Sequence, residues 1–379
     1  MILPGATLGV LGGGQLGRMF TMRAREMGYR VVVLEPDPGS PAGAVADQHL
    51  RAAFDEPAAL DTLARASAAV TIEFENVPAG ALERLAERVP VRPSATAVAV
   101  AQDRIREKRF LRDHGFATAP FVAVERADQI ESAFAAVESP ALLKTSRLGY
   151  DAKGQATVTS LDDLRASFAE LGGVPCVLEQ RLELDGELSV VLVRGTDGAV
   201  VPFPAGENTH RRGILETTVV PARIDGALAA EAARLAGGIA AKLDYVGVLG
   251  VELFVARGGR LFVNEIAPRP HNTGHYTLDA CVTDQFEQQV RALCGLPLGA
   301  PTLLSPVAMI NLLGDAWTSG PPRWDRALAL PGVKLHLYGK AEPRAGRKMG
   351  HLNCLGGTAD EALALARRAH AALLDHHSP

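Results

Sequence analysis

The sequence has little of several features that would each point to a particular class of protein. It holds four cysteines in 379 residues, and none stand in a CxxC or metal-binding spacing, which argues against a disulfide framework. A net charge of −4 gives no basic field for nucleic acid. No apolar run approaches the roughly 18 residues of a membrane span, and residues 1–5 lack the pattern of a signal peptide. We therefore expect a reduced, cytoplasmic protein that binds neither nucleic acid nor membrane.

What the chain does have is enough apolar sequence for more than one core, with 47% hydrophobic residues. Strand-like runs at 7–11, 30–34 and 70–74 alternate with helical patterns, which predicts a parallel α/β sheet over roughly the first 90 residues. Ser94 is placed to cap one long helix that continues through Arg112. Shorter strands follow, and the chain closes with a tail of two strands and an Ala-rich helix at 361–374.

A glycine-rich turn follows the first strand. Residues 12–17 and Glu35 satisfy the spacing of a dinucleotide fingerprint, in which glycines bring backbone N–H groups close to a phosphate. The same spacing also suits a tight turn needed only for packing, or a contact between another ligand and Gln15 and Leu16. These three interpretations stay open on the sequence alone.

A lysine and a glycine loop suggest a phosphate site. Lys144 ends the apolar run 140–143, and the loop 149–155 follows with two glycines and a second lysine. Mobile backbone donors and a point charge suit phosphate groups. A solvated surface hairpin is the alternative interpretation of this loop.

Two glutamates are predicted to face each other in a hairpin. A two-residue turn at Gly258 and Gly259 places Glu252 directly across from Glu265, where two like charges destabilise a ladder unless something bridges them. Oxygen ligands favour Mg²⁺ or Mn²⁺ as the bridge. Strict alternation points Asn264 to the opposite face unless a bulge intervenes.

The segment 269–275 comes directly after this hairpin and is rich in polar residues. Arg269 is suited to a bidentate hold on bicarbonate or a carboxylate. His271 and His275 are possible metal ligands, although the carboxylate pair favours Mg²⁺ over zinc. Further on, the tail carries a basic cluster that suits the phosphate of a small molecule, formed by Lys340, Arg344, Arg347 and Lys348.

Taken together, these segments resemble the ATP-grasp superfamily, within it the purine-biosynthesis branch, and most closely the N5-carboxyaminoimidazole ribonucleotide synthases. The motifs GGGQLGRM, EFENV, QDR, GYDAKGQ, NEIAPRPHNTGH and GRKMGHL occur in the family order and span almost the whole chain. The resemblance implies an ATP-grasp fold of mixed α/β and α+β class, with an N-terminal Rossmann-like domain (1–93), an ATP-grasp domain (94–300, lid lobe 118–182) and a small C-terminal domain (301–379). It also implies a homodimer.

The resemblance further implies roles for individual residues. The ATP site would comprise Arg104, Lys144, the lid (Gly149, Tyr150, Asp151, Ala152, Lys153, Gly154, Gln155), the hinge (Glu179, Gln180, Arg181, Leu182), Glu187, His210, Asn264 and Glu265. Glu252 and Glu265 would bind Mg²⁺, or Mn²⁺ in its place. The ribonucleotide would contact Gln15, Leu16, Glu75, Asn272, Lys340, Arg347 and Lys348. Catalysis would fall to Arg269, Lys153, Asp151, Tyr150 and His271.

The implied reaction is the ATP-dependent carboxylation of 5-aminoimidazole ribonucleotide with bicarbonate, through carboxyphosphate, in purine biosynthesis. The labile product suggests a transient hand-off to the mutase that uses it. A formate-dependent glycinamide ribonucleotide transformylase is the nearest alternative, but the lid, EFENV and Asn272 favour carboxylation. An NAD-dependent oxidoreductase or a nucleotide-binding scaffold would leave Glu252 and Glu265 without a role.

The lid departs from the family pattern at one position. Ala152 stands where the family commonly has glycine, and a positive φ there would cost a non-glycine residue roughly 1 kcal/mol. Because the other lid residues remain, we predict a slightly altered lid with activity retained. Steady-state rates of Ala152→Gly beside the parent test this, and an inactive parent beside an active variant would contradict it.

Overall fold

The N-terminal segment forms a parallel sheet, as its alternating pattern predicts. The computed structural model describes residues 1–149 and 154–375. The elements are β1 (Thr7–Leu11), α1 (Gln15–Glu26), β2 (Arg30–Leu34), β3 (Gln48–Leu50), α2 (Pro57–Ala66), β4 (Ala69–Ile72) and α3 (Ala79–Ala86). The strand order is β3-β2-β1-β4, and all neighbours are parallel. Gly28, at φ 86°, follows α1 as a glycine does after a helix.

The single helix expected from Ser94 through Arg112 is wrong, because the chain forms two helices there. Ser94 does cap the first, α4 (Ala95–Ala101), and the second is α5 (Arg104–Asp113). The break occurs because the Asp103 carboxylate accepts hydrogen bonds from the backbone of Ile105 and Arg106 and so starts a new helix. The break turns the first residues of α5 toward the centre of the molecule.

A small antiparallel lobe follows. It contains β5 (Phe121–Val124), α6 (Ile130–Ala136), β6 (Ala141–Thr145), β7 (Gln155–Val158), α7 (Leu161–Glu170) and β8 (Cys176–Gln180), with strand order β5-β8-β6-β7. Its two helices cover one face with apolar side chains such as Leu164 and Phe168. Of the lid loop, the structure describes Gly149, after β6, and Gly154 and Gln155, at the start of the edge strand β7.

The remaining residues build one large sheet. Its elements are β9 (Leu184–Arg194), β10 (Val200–Pro202), β11 (Gly206–Arg211), β12 (Ile214–Val220), α8 (Gly226–Lys242), β13 (Gly247–Ala256), β14 (Arg260–Ala267), α9 (Thr277–Ala280), α10 (Gln285–Cys294), β15 (Val307–Leu313), α11 (Trp324–Leu328), β16 (Val333–Leu337), β17 (Lys348–Leu355) and α12 (Ala359–Leu374). The order is β14-β13-β9-β11-β12-β15-β17-β16, with β10 beside β9.

The tail therefore has three described strands, and the expectation of two is wrong. They continue the large sheet, because β15 pairs with β12 along four residues. This junction places β16 and β17, with the basic cluster between them, on the same sheet as the β13–β14 hairpin.

Helix α10 joins the N-terminal sheet to the large sheet. Its apolar side packs against α1 through Phe286, Val290 and Leu293. Gln289 on the same helix donates to Thr71 of β4 (2.9 Å) and accepts from the backbone of Val248 in β13 (2.6 Å). The start of α1 and the β13–β14 hairpin are thereby held in fixed positions. Within the described ranges, no helix is long and apolar enough to span a bilayer.

Candidate functional site

The glycine-rich turn is filled by the protein's own carboxylates. Glu73, just after β4, accepts from the backbone N–H groups of Gly14 (2.7 Å) and Gly17 (2.9 Å), and Glu35 accepts from Gly13 (2.8 Å). A Cβ on Gly14 would lie 2.5 Å from a Glu73 oxygen, so glycine is needed for this close approach. The donors that a dinucleotide phosphate would use are already engaged. The fingerprint therefore indicates a carboxylate-filled turn and gives no support to an NAD site.

The β13–β14 hairpin brings Glu252 and Glu265 opposite each other, as predicted, but by a different route. The loop has three residues, since Ala256 pairs with Arg260, so the expected two-residue turn is wrong. A bulge between Glu252 and Leu253 then shifts the register by one and restores the facing pair. Asn264 is the extra residue, and its side-chain nitrogen lies 3.3 Å from a Glu252 oxygen.

The two carboxylates have opposite electrostatic environments. Burial and the nearby charge of Glu265 raise the pKa of Glu252 to about 7. Burial alone would raise the pKa of Glu265 as well, but the charge and hydrogen bond of Arg104, 2.9 Å away, hold it at about 2. The two carboxylates therefore repel each other when both are ionised, and a cation bound between them would remove this repulsion.

The donor chemistry at this hairpin fits Mg²⁺. Glu252 and Glu265 supply only oxygen atoms, which Mg²⁺ and Mn²⁺ prefer. In the part of the chain that the structure describes, no cluster of three or more His, Cys, Asp or Glu side chains is arranged to hold a metal. Two carboxylates are sufficient for Mg²⁺ where phosphate and water oxygens complete its coordination.

Lys144 lies at the end of β6, as predicted, and is nearly buried. Its ammonium is 2.8 Å from Glu179, which is only 2% exposed and lies on the neighbouring strand β8. Glu179 is thus a partner of Lys144 beneath the cleft rather than a residue of the cleft wall. Residues 180–182 follow it and connect the small lobe to β9.

On the opposite wall, Glu187 and His210 form an ion pair. The Nδ1 atom of His210 is 2.6 Å from a Glu187 oxygen. Burial alone would lower the pKa of His210, but the hydrogen bond and charge of Glu187 raise it. Both side chains face the cleft.

The segment 269–275 places an arginine, a neutral histidine and an amide at the cleft floor. The Nε of Arg269 donates to Glu75 at 2.5 Å. Burial, then the charge of Arg269, lowers the pKa of His271 to about 3, so this imidazole is uncharged. Asn272 lines the cleft, and neither its oxygen nor its nitrogen has a hydrogen-bond partner among the described residues. An unpartnered buried amide fits a polar ligand.

His275 is turned away from the cleft, so the structure gives no support to it as a metal ligand. It is fully buried, lies 3.0 Å from Gln285, and stacks on His351 behind the site. Gln285 also holds the segment in shape, because it donates to the carbonyl of His271 and accepts from its N–H.

The basic cluster faces the same cleft. Lys340, Arg344, Arg347 and Lys348 all line it. Lys340 donates to the carbonyl of Lys348 at 2.8 Å, and Arg347 donates to the carbonyl of Glu342 at 2.9 Å. These bonds hold the connection between β16 and β17 in place.

One cleft of about 930 Å³ collects most of the predicted site residues. They are Gln15, Glu75, Arg104, Lys144, Gly149, Gln155, Glu187, His210, Glu252, Asn264, Glu265, Arg269, His271, Asn272, Lys340, Arg347 and Lys348. Leu16, Gly154, Glu179, Gln180, Arg181 and Leu182 are not on its wall. Tyr150, Asp151, Ala152 and Lys153 lie outside the described residues.

Sequence reasoning missed three residues that hold the backbone around the cleft, and two of them, Gln102 and Glu107, also line it. Gln102 donates to the carbonyls of Glu75 and Val77, which fixes the segment after β4. Glu107 accepts from the backbone of Ile266 at 2.5 Å, and Lys108 donates to the carbonyl of Asn264 at 2.9 Å. One sequence pattern could have revealed Glu107 and Lys108. Helical spacing places them on the same face as Arg104, beside apolar residues, where charged side chains need partners.

Comparisons with known proteins match three family domains in chain order over most of the chain. Residues 5–102 match the ribonucleotide synthetase preATP-grasp domain, residues 109–286 the ATP-grasp domain and residues 307–365 the phosphoribosylaminoimidazole carboxylase C-terminal domain. An N5-carboxyaminoimidazole ribonucleotide synthase from Brucella melitensis is 46% identical over 92% of this chain and 96% of its own.

Solved structures that are similar to this chain also belong to N5-carboxyaminoimidazole synthetases. An N5-carboxyaminoimidazole synthetase from Staphylococcus aureus complexed with ADP has a TM-score of 0.91 at 36% identity, over 97% of this chain and 98% of that one. An N5-carboxyaminoimidazole synthase from Aspergillus clavatus, in complex with ADP and 5-aminoimidazole ribonucleotide, has a TM-score of 0.89 at 31% identity, over 97% and 98%.

Proposed function

The chain belongs to the N5-carboxyaminoimidazole ribonucleotide synthases, ATP-dependent ligases of purine biosynthesis with the ATP-grasp fold, and from this premise we propose how its cleft performs the reaction. The observation that carries the proposal is that Glu252, Glu265, Arg269 and the basic cluster (Lys340, Arg344, Arg347, Lys348) line one cleft. A phosphoryl donor, an oxyanion and a phosphorylated amine can therefore meet there. We place the domain divisions near residues 93 and 300.

The reaction has two steps whose atoms balance. A bicarbonate oxygen attacks the γ-phosphorus of ATP, and the bond from that phosphorus to the β–γ bridging oxygen breaks, giving carboxyphosphate and ADP. Cleavage of the bond between the carbon and the phosphate oxygen of carboxyphosphate then releases carbon dioxide and phosphate, and the exocyclic amine of 5-aminoimidazole ribonucleotide forms a new N–C bond with the carbon dioxide. The amine proton is lost to phosphate. Phosphoryl transfer of this kind depends mainly on positioning and charge neutralisation.

ATP would lie between the small lobe and the large sheet. Arg104 and Lys144 supply positive charge to its phosphates, and Glu187 with His210 face the ribose. From the family pattern, residues 180–182 would border the adenine, while Glu179 lies beneath the cleft as the partner of Lys144. Two relatives were solved in complex with ADP, which supports an adenine nucleotide as a ligand of this fold. Gly149 and Gln155 are the end residues of the lid and line the cleft, and the lid would exclude water from the short-lived carboxyphosphate.

Mg²⁺ is the ion that the carboxylate pair fits, with Mn²⁺ as a substitute. Glu252 and Glu265 would hold it, and Asn264, 3.3 Å from Glu252, orients that carboxylate. When bound, the ion would neutralise charge on the β- and γ-phosphate oxygens.

Arg269 and His271 would hold bicarbonate. The Nε of Arg269 donates to Glu75 and its Nη1 to the carbonyl of Pro270 at 3.3 Å, and the residue lines the cleft, where the remaining guanidinium donors would meet bicarbonate. His271 is neutral and hydrogen-bonded to Thr273 at 2.8 Å, so it presents an uncharged ring edge near Glu252. From the family pattern, Tyr150, Asp151 and Lys153 would join them when the lid closes.

The ribonucleotide would occupy the end of the cleft near α1. Gln15 and Leu16 lie in the first turn of α1, where backbone N–H groups have no partner within the helix. Because the side chain of Leu16 is buried, only its backbone can contact the ligand. Glu75 and Asn272 are placed for the amine and ring, and Lys340, Arg347 and Lys348 for the phosphate.

Lys348→Met tests the phosphate assignment. It is expected to raise the KM for 5-aminoimidazole ribonucleotide about 10- to 100-fold, since a hydrogen bond to a charged group contributes roughly 1.5–3 kcal/mol. The KM for ATP should stay within about twofold of the parent. Lys334→Met, which removes an exposed lysine from β16, is the matched control. An equal rise in both KM values would contradict the assignment.

Substrate choice is tested by ADP release from Mg²⁺-ATP. We expect 5-aminoimidazole ribonucleotide to stimulate release only when bicarbonate is present. Formate with glycinamide ribonucleotide, assayed in parallel, should give no stimulation. Stimulation by the formate pair alone would overturn the substrate assignment.

The proposal extends to the state of the protein in the cell. All four cysteines are unpaired and buried, which suits a reducing cytoplasm. A homodimer and a transient hand-off of the labile product to a mutase complete the proposal. Light scattering of the purified chain tests the dimer, and a monomer mass would exclude it.

A further inference from the structure

Lys108 is a buried cation for which the reaction described above has no use. It lies on α5 and is 1% exposed. Its ammonium is 2.9 Å from the carbonyl oxygen of Asn264, 3.5 Å from that of Val263 and 3.4 Å from a carboxylate oxygen of Glu179. A buried ammonium is costly unless its partners compensate for lost water. The groups that contact the Lys108 ammonium therefore indicate its structural role.

The first set of partners belongs to the bulge of β14. Asn264 is the residue inserted between the paired positions 263 and 265, and the bulge makes Glu252 face Glu265. A bulge leaves its extra residue outside the ladder, so the Asn264 carbonyl needs a donor from elsewhere. Lys108 is that donor. It thereby fixes the backbone next to a proposed Mg²⁺ ligand.

The second partner is Glu179, which lies between two lysines. One of its oxygens is 3.4 Å from Lys108, and the other is 2.8 Å from Lys144. One carboxylate charge is thus shared by two ammonium groups. Because of this sharing, Lys144 keeps net positive charge for a phosphate.

We propose that Lys108 is a positioning residue that tunes nucleotide binding, by holding the bulge at Asn264 and by sharing the carboxylate charge of Glu179 with Lys144. This inference rests on the proposed function, because it assumes that Lys144 and Glu265 meet the phosphates and their metal. Lys108 itself would touch neither nucleotide nor metal.

Lys108→Met, which has similar length and no charge, tests the proposal. Without Lys108, Glu179 pairs with Lys144 alone, and the Asn264 carbonyl in the bulge loses its hydrogen-bond donor. We expect the dissociation constant for ADP with Mg²⁺, measured by calorimetry, to rise about tenfold or more. The effect should be smaller for ADP without Mg²⁺, because the bulge then plays no part. In turnover, the KM for ATP should rise more than kcat falls.

A double variant separates this role from a general packing role. Lys108→Met/Glu179→Gln removes both charges, so no carboxylate at position 179 neutralises the ammonium of Lys144. We expect it to bind ADP at least about threefold more tightly than Lys108→Met alone, with coupling visible in the double-mutant cycle. Lys242→Met, an exposed lysine at the end of α8, should bind like the parent.

The outcomes are distinct. A folded Lys108→Met variant with a lowered melting temperature but an unchanged dissociation constant would overturn the proposal. If that variant does not fold, the double variant decides. Binding by the double variant within about threefold of the parent supports the charge-sharing account, and any weaker binding contradicts it. A parent chain that itself fails to bind ADP with Mg²⁺ would instead refute the proposed function.

Discussion

Glu265→Gln is expected to lower ADP release by about 10²–10³-fold at saturating substrates, the usual cost of removing one electrostatic contact to a transition state. The replacement keeps the shape of the side chain but removes the charge that faces Glu252 and pairs with Arg104. A carboxamide would leave Glu252 as the only anionic ligand for Mg²⁺. The rate should not recover fully when Mg²⁺ is raised, because phosphate positioning is also lost.

A matched control and a direct metal readout complete this experiment. Glu231→Gln alters an exposed glutamate on α8 and should leave the rate unchanged. Electron paramagnetic resonance of Mn²⁺ with ADP should detect bound metal in the parent and much less in Glu265→Gln. A variant with the parent rate would refute the metal assignment. Normal Mn²⁺ binding with a lost rate would shift the role of Glu265 to positioning Arg104.

Arg269→Lys is the second change with a large expected effect. Arg269 is engaged by Glu75 through its Nε, and only a planar guanidinium can hold that carboxylate and a second oxyanion together. We expect kcat/KM for bicarbonate to fall by about 10²–10³-fold, because an ammonium lacks the planar fork that holds an oxyanion through two parallel N–H bonds. The dissociation constant for ADP should change little, since Arg269 is not assigned to the nucleotide.

The assignment of Arg269 can fail in two recognisable ways. If only the KM for 5-aminoimidazole ribonucleotide rises, Arg269 positions that substrate through Glu75 and does not hold bicarbonate. If neither kcat/KM for bicarbonate nor the KM for 5-aminoimidazole ribonucleotide changes, Arg269 does not contribute to catalysis although it lines the cleft. Arg260→Lys, at the exposed end of the hairpin that precedes Arg269, is the control for replacing an arginine by lysine.

Much of the fold could be predicted from the sequence, because local patterns of apolar and capping residues determine where its strands and helices form. Alternation of apolar strands with helices predicted the N-terminal parallel sheet, and the capping roles of Ser94 and Gly28 followed from residue type. The pairing of Glu252 with Glu265 was also predicted. There, however, a three-residue loop and a bulge compensated for each other, and neither is visible in strict alternation.

The remaining features depend on contacts between distant segments. The break between α4 and α5 arises where Gln102 and Asp103 bond to residues far along the chain, such as Glu75 and Ser146. The glycine turn matched a dinucleotide pattern because sequence spacing does not reveal that Glu73 fills it. Lys108 was missed for the same reason, since its partners come from β8 and β14.

Transfer of an oxygen atom from bicarbonate to phosphate tests the central claim most directly. The enzyme would be mixed with ¹⁸O-bicarbonate, ATP, Mg²⁺ and 5-aminoimidazole ribonucleotide, and quenched before bicarbonate exchanges with water. Attack of bicarbonate on the γ-phosphorus predicts one ¹⁸O atom in each phosphate released, since the later C–O cleavage leaves that oxygen on phosphorus. Phosphate without label, formed beside carboxylated product, would show that water attacks ATP and would contradict the carboxyphosphate route.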